Sequence, residues 1–259
     1  MTNKDLTWKL KAQPTAGEIA DLVRHGVLSP DEARAIIFNK GKKTSESGKT
    51  TVVHLLLDTS GSMSTVQGAT IEGYNEYINS LKEDGGKFKI SLTLFDSDVT
   101  DKLRLEKRYD SVNVDDVEPL TRETYRPTGG TPLHDAFCMT LKDMKDRKDE
   151  KYLFVVLTDG MENTSKEYNA KDMKNLKKKF EAKDNWTFVY LGANQDAFAT
   201  AQQYDFSTSN VSNFNATRKG VGTTFDVLSV ATRSYSAAPA MASSVFYTDE
   251  QQKKNEQSK

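Results

Sequence analysis

The chain has 259 residues, 36% hydrophobic and 28% charged, with a net charge of −1 and one cysteine. That hydrophobic content supports a buried core, and the near-zero charge gives no global attraction to nucleic acid or to a membrane surface. A lone thiol excludes an internal disulfide framework and fits a reducing compartment. No run approaches the roughly twenty apolar residues of a membrane span, and the opening MTNKDLTWKLKAQP lacks the apolar stretch of a signal peptide. The expected location is the cytoplasm.

In chain order, PTAGEIADLVRHGVLSPDEARAIIF, within residues 14–39, reads as helix, turn, helix. Ile19, Leu22 and Val23 form one apolar stripe, and Gly26 is placed to end the first helix. Ser29, Pro30 and Glu32 start the second with a capping box. So short a hairpin buries little by itself, so it is expected to dock on the main domain or to mediate self-association through residues 14–39. KGKKTSESGKT is a polar linker. Its Gly48-Lys49-Thr50 is not a phosphate loop: Lys43 stands where the first glycine belongs, and the segment precedes a strand rather than following one. The expected division is 1–45 as helical hairpin and linker, 46–237 as the main domain and 238–259 as a flexible tail.

TVVHLLLDTSGSMS, residues 51–64, begins as a strand apolar on both faces, with Val52, Val53, Leu55, Leu56 and Leu57. At its end the composition switches to Asp58, Ser60 and Ser62 around Gly61. In an open α/β sheet, ligands bind at that end of the strands. Three side chains offering hard oxygens suit a small hard cation. A helix follows through Val66, Tyr74, Tyr77, Ile78 and Leu81, stopped by Gly85-Gly86. FKISLTLF is the next strand, and Val99, Leu103 and Leu105 share one face of a charged antiparallel edge strand. Residues 110–130 read as a long connection into Thr131, an expected N-cap with Pro132 in the first turn. Leu133, Phe137, Thr140, Leu141 and Met144 give that helix its buried face. Tyr152–Leu157 and Trp186–Leu191 read as strands, Met173, Leu176 and Phe180 as a helix face, Val211–Phe214 as a short strand, and TTFDVLSVATRSYS as the closing helix. The fold class is α/β: a doubly wound, mostly parallel sheet with one antiparallel edge strand.

DTSGS (Asp58, Ser60, Ser62), TGGTPL with Thr131 and LTDG with Asp159, in that order, resemble the three elements of the metal-ion-dependent adhesion site (MIDAS) of von Willebrand factor A (vWA) domains. The resemblance spans roughly residues 51–236. It implies coordination by the Ser60 and Ser62 hydroxyls, by Thr131 in one state of the domain, and by Asp58 and Asp159 directly or through water. The cation would be Mg²⁺, or Mn²⁺ or Ca²⁺, with one position left for an Asp or Glu of a protein partner. The chain would then be a non-enzymatic binding module of intracellular prokaryotic or phage type.

Taken singly, these residues have plainer roles. Asp58, Ser60 and Ser62 fit a turn, Thr131 a helix cap, and Asp159-Gly160 an ordinary bend. His54 reads as core and His134 as structural. Lys171, Lys174, Lys177, Lys178, Lys179 and Lys183 make a basic helix face that reads as solvated, because no aromatic residues interleave to stack bases. One alternative is a Mg²⁺-dependent phosphoryl hydrolase of haloacid-dehalogenase type. It is weakened by Ser60 standing where the second aspartate of a D-x-D motif would act as acid/base. Another is a structural assembly subunit whose metal only stabilises loops.

Overall fold

The computed structural model describes residues 49–193, 197–238 and 246–256. The helical hairpin expected within 14–39 lies outside them.

Six strands form one sheet: β1 (Thr50–Asp58), β2 (Phe88–Ser97), β3 (Leu103–Asn113), β4 (Glu150–Thr158), β5 (Trp186–Ala193) and β6 (Val211–Phe214), in the order β3-β2-β1-β4-β5-β6. All neighbours run parallel except β2 and β3. The helices are α1 (Gln67–Glu83), α2 (Leu133–Asp143), α3 (Ala170–Glu181), α4 (Ala197–Gln203), α5 (Arg218–Ala237) and α6 (Asp249–Glu256). The expected α/β fold class, doubly wound with one antiparallel edge strand, is the one observed.

The two faces of the sheet follow from the period of two along each strand. Val53, Leu55 and Leu57 of β1 join Leu153 and Val155 of β4 on one face, packed with Tyr74 and Tyr77 of α1 and Phe225 and Leu228 of α5. Val52, Leu56, Phe154 and Phe188 point to the other, against Phe137 and Leu141 of α2 and Met173 of α3. Burying both faces demands the continuous apolar runs seen in β1 and β4. His54 belongs to this second packing layer: it stacks on Phe154 at 5.0 Å and bonds Thr93 through Nε2 at 3.0 Å. Burial depresses it to about 3, so it is neutral.

Several local expectations change. Val99 lies in the β2–β3 turn, fully exposed, rather than on the apolar face of a strand. The edge strand continues to Asn113, so part of the stretch expected as a connection from residue 110 is ladder. Thr131 does not cap α2: that helix begins at Leu133, and Pro132 in the cap position brings no side-chain bond. On the basic face of α3, Lys171, Lys178 and Lys179 are exposed, as expected of a solvated face, but part of its charge is paired. Lys174 and Lys178 pair with Asp205 at 3.1 and 3.0 Å. Lys177 is buried, bonded to Glu181 at 2.7 Å, with its ammonium 4.9 Å from the Phe206 ring.

Residues 246–256 also depart from a flexible tail. Phe246 and Tyr247 join the core on the α1/α5 side. In α6, Gln252 donates to the Val211 carbonyl at 3.0 Å and Asn255 to Ser212 Oγ at 2.5 Å, so this helix covers the outer edge of β6. An uncovered strand edge is a template for pairing with another chain.

Candidate metal centre

Strand β1 connects outward to β2 on one side while β4 lies on its other, so the chain reverses direction across the sheet between β1 and β4. A crevice opens at the carboxyl ends of strands at such a point. Asp58 is the last residue of β1, and Asp159 follows the last residue of β4.

Asp58 is fully buried. One of its oxygens accepts the Ser60 N–H at 2.6 Å and the other the Thr158 hydroxyl at 2.5 Å. The Ser60 and Ser62 hydroxyls lie 3.1 Å apart, and Ser62 donates to Asp159 Oδ1 at 2.6 Å. Asp58, Ser60, Ser62 and Asp159 therefore form one connected string of oxygens drawn from two segments. Thr131 arrives from a third: a Cβ added to Gly160 would sit 2.6 Å from its Oγ1, so the hydroxyl lies directly against the Asp159-Gly160 turn.

The backbone ties the loops together. Gly61 N–H donates to the Gly129 carbonyl at 3.0 Å, Thr128 N–H to the Thr59 carbonyl at 2.6 Å, and the Tyr125 hydroxyl to the Asp58 carbonyl at 2.8 Å. Gly129 has φ +65°, and a Cβ there would meet the Ser97 carbonyl oxygen at 1.7 Å. Only glycine fits this position. Beside these loops a cleft of about 320 Å³ opens toward β3, lined by Thr59, Asp96, Arg104, Glu123, Arg126 and Thr128.

The electrostatics favour a cation. Burial pushes the Asp58 carboxyl up to about 7, with Thr158 and Ser60 opposing and the Asp159 charge adding to the rise. Burial also raises Asp159, opposed by the Ser62 hydrogen bond. Two carboxylates short of compensating charge, met by neutral hydroxyls and one backbone N–H, form a donor set that a hard divalent ion would complete. Among the described residues no group of three or more His, Cys, Asp and Glu side chains is placed to hold a metal. Any ion here would thus rest on two acids and hydroxyl oxygens. His134 is engaged elsewhere, with Nε2 3.1 Å from the Tyr204 hydroxyl and Nδ1 3.5 Å from Glu162.

Residues 53–223 match the family model of the von Willebrand factor type A domain. The chain belongs to that family. Among curated proteins, none matches the sequence of this vWA chain. Its fold is similar to that of the pilus adhesin SpaC from Lactobacillus rhamnosus GG in an open conformation: 13% identity, TM-score 0.56, covering 71% of this chain and 30% of that one. It is similar also to the PilB minor pilin from Streptococcus sanguinis, at 12% identity and TM-score 0.55 over 74% and 63% of the two chains. A third similar structure is proximal thread matrix protein 1 from the mussel byssus with a zinc-occupied MIDAS motif, at 12% identity and TM-score 0.50 over 73% and 47%. The chain spans less than two thirds of each of these proteins, and at these identities the likeness is one of fold.

Residues that the motifs left out do much of the positioning. Thr158 and Tyr125 hold Asp58, and Ser97 accepts the Gly130 N–H at 2.9 Å. Glu162, Asn163 and Asp135 stitch the segment after Asp159 to the start of α2. The run Glu162-Asn163-Thr164-Ser165 carried turn and capping chemistry as its one readable signal.

Proposed function

We propose that Asp58, Ser60, Ser62, Thr131 and Asp159 form a metal-ion-dependent adhesion site, and that the chain is a non-enzymatic, cation-dependent protein-binding module. The observation that carries this reading is the convergence of two burial-raised carboxylates with the Ser60 and Ser62 hydroxyls at the switch point of the sheet. An all-oxygen donor set favours Mg²⁺, or Mn²⁺ or Ca²⁺, over ions that seek nitrogen or sulfur. A vWA structure similar in fold carries zinc in its MIDAS motif, which supports a divalent ion in this part of the fold. When bound, the cation supplies a positive centre that the carboxylate of a partner's Asp or Glu completes. The chain's own residues do the rest: Thr158 and Ser60 N–H orient Asp58, Ser62 orients Asp159, and Gly129 lets the Thr131 segment approach.

The buried lone Cys138 accords with a reducing compartment such as the cytoplasm. Among the described residues no helix is long and apolar enough to cross a membrane. Calorimetric titration with MgCl₂, MnCl₂ and CaCl₂ tests the site, with binding expected in the wild type and lost in Asp58→Ala. Pull-down from lysate with and without EDTA tests partner capture, and undiminished capture in EDTA would count against it. Mg²⁺-dependent hydrolysis of p-nitrophenyl phosphate, abolished in Asp58→Asn, would favour the phosphoryl hydrolase instead.

A further inference from the structure

We infer that Asn163, supported by Glu162, is a positioning residue that holds Thr131 in register with Asp159 and so sets the cation affinity of the proposed site, on whose reading this inference rests. Asn163 grips Thr131 at two points. Its Oδ1 accepts the Thr131 N–H at 2.8 Å, and its own N–H donates to the Thr131 carbonyl at 3.2 Å. The second bond runs backbone to backbone, so the side-chain amide is the half that depends on residue identity.

Glu162 fixes the same segment to the first turn of α2. It accepts the His134 N–H at 2.9 Å and the Ser165 hydroxyl at 2.7 Å with one oxygen, and the Thr164 and Ser165 N–H groups at 3.0 and 2.8 Å with the other. Asp135 returns the favour by accepting the N–H groups of Lys166 at 2.7 Å and Tyr168 at 2.7 Å. Residues 131–135 and 162–168 are thereby joined along their length. Gly130 completes the fit: a Cβ there would come within 2.9 Å of Asn163 Oδ1.

Asp159 lies four residues before Asn163, and Thr131 lies against Gly160 between them. The stitch therefore makes the Asp159 and Thr131 segments one unit, whereas the Asp58–Ser62 loop is attached through separate bonds. Groups that orient metal ligands without touching the metal commonly change its affinity by 10–100-fold when removed. Asn163 is solvent-exposed, so its truncation leaves no core cavity, and the cost is confined to the unpaired Thr131 N–H.

The test is calorimetric titration of the full chain with MgCl₂, paired with thermal unfolding in EDTA. Asn163→Ala should weaken Mg²⁺ about tenfold, with a folded chain whose EDTA midpoint falls only by the cost of the unpaired Thr131 N–H. Asn163→Asp keeps an oxygen acceptor for the Thr131 N–H and should bind within about threefold of the wild type. A purely structural role would lower the EDTA midpoint and spare the affinity. Should the alanine variant not fold, Asn163→Ser takes its place with the same expected loss. Wild-type binding that Asn163→Ala leaves unchanged overturns the role of Asn163 alone. Absence of Mg²⁺ binding to the wild type overturns the site and this role together.

Discussion

The Thr158 hydroxyl donates to Oδ2 of Asp58 at 2.5 Å, across the two central strands of the sheet. One hydroxyl and one backbone N–H are modest compensation for a buried charge, and Asp58 is pushed up to about 7 by burial. Asp58→Asn removes that charge, keeps the Ser60 N–H bond and lets Thr158 rotate to accept. In EDTA at pH 8 this variant should be more stable than the wild type by about 1–3 kcal/mol in urea denaturation. It should also lose the stabilisation that millimolar Mg²⁺ confers on the wild type. A destabilised Asp58→Asn in EDTA would show that the charge is already compensated within the protein.

Protons and Mg²⁺ compete for the same carboxylate. Below about pH 7 the Asp58 carboxyl is protonated in the metal-free protein, so a bound ion must displace that proton. Mg²⁺ affinity should fall about tenfold per pH unit below this point. Titrations at pH 5.5, 6.5 and 7.5 check it, and a pH-independent constant would refute it.

Asp58 and His54 oppose one another in the pH dependence of folding. A carboxyl raised from 3.8 to about 7 contributes stability that is present below the lower value and lost as pH rises through the upper one. His54, lowered from 6.5 to about 3, contributes stability that is present above 6.5 and lost as pH falls. Each slope is about 1.4 kcal/mol per pH unit when fully expressed. In EDTA they should cancel between about pH 4 and 6.5, giving a nearly flat wild-type contribution from this pair. Asp58→Asn should expose the His54 slope, so the variant loses stability on acidification where the wild type does not. Parallel urea midpoints for the two proteins across this range would be the contrary result.

Gly129→Ala should damage the site more than any exposed loop substitution. It forces a Cβ into the left-handed region at φ +65° and to 1.7 Å from the Ser97 carbonyl oxygen. The expected loss is about 2–4 kcal/mol of stability, with Mg²⁺ binding abolished because the Thr131 segment must move away. Wild-type stability and affinity would contradict this geometry.

Removal of the chain after residue 245 uncovers the outer edge of β6 and the pocket filled by Phe246 and Tyr247. The truncated chain should unfold at lower urea and self-associate in sedimentation velocity, since a bare strand edge and an apolar pocket seek partners. Phe246→Ala alone should cost about 3 kcal/mol without self-association, because α6 would still guard the edge.

The amino-acid sequence by itself determined the strand-and-helix alternation, the burial of β1 and β4 on both faces, and the three loops that carry the oxygen donors. These are local in origin: apolar runs, periodic stripes and polar switches at strand ends are written in neighbouring residues. What the tertiary structure decided is everything that depends on which segments meet. Thr131 lost its expected capping role because Glu162, 28 residues beyond His134, accepts the His134 N–H at the start of α2. Lys177 left the basic surface because Phe206 and Glu181 surround it. Residues 246–256 became part of the domain because β6 offered carbonyls and α5 an apolar face. Asn163 and Thr158 carried no motif, since an acceptor or a hydroxyl gains its role only from the group that folding places 2.5–3 Å away.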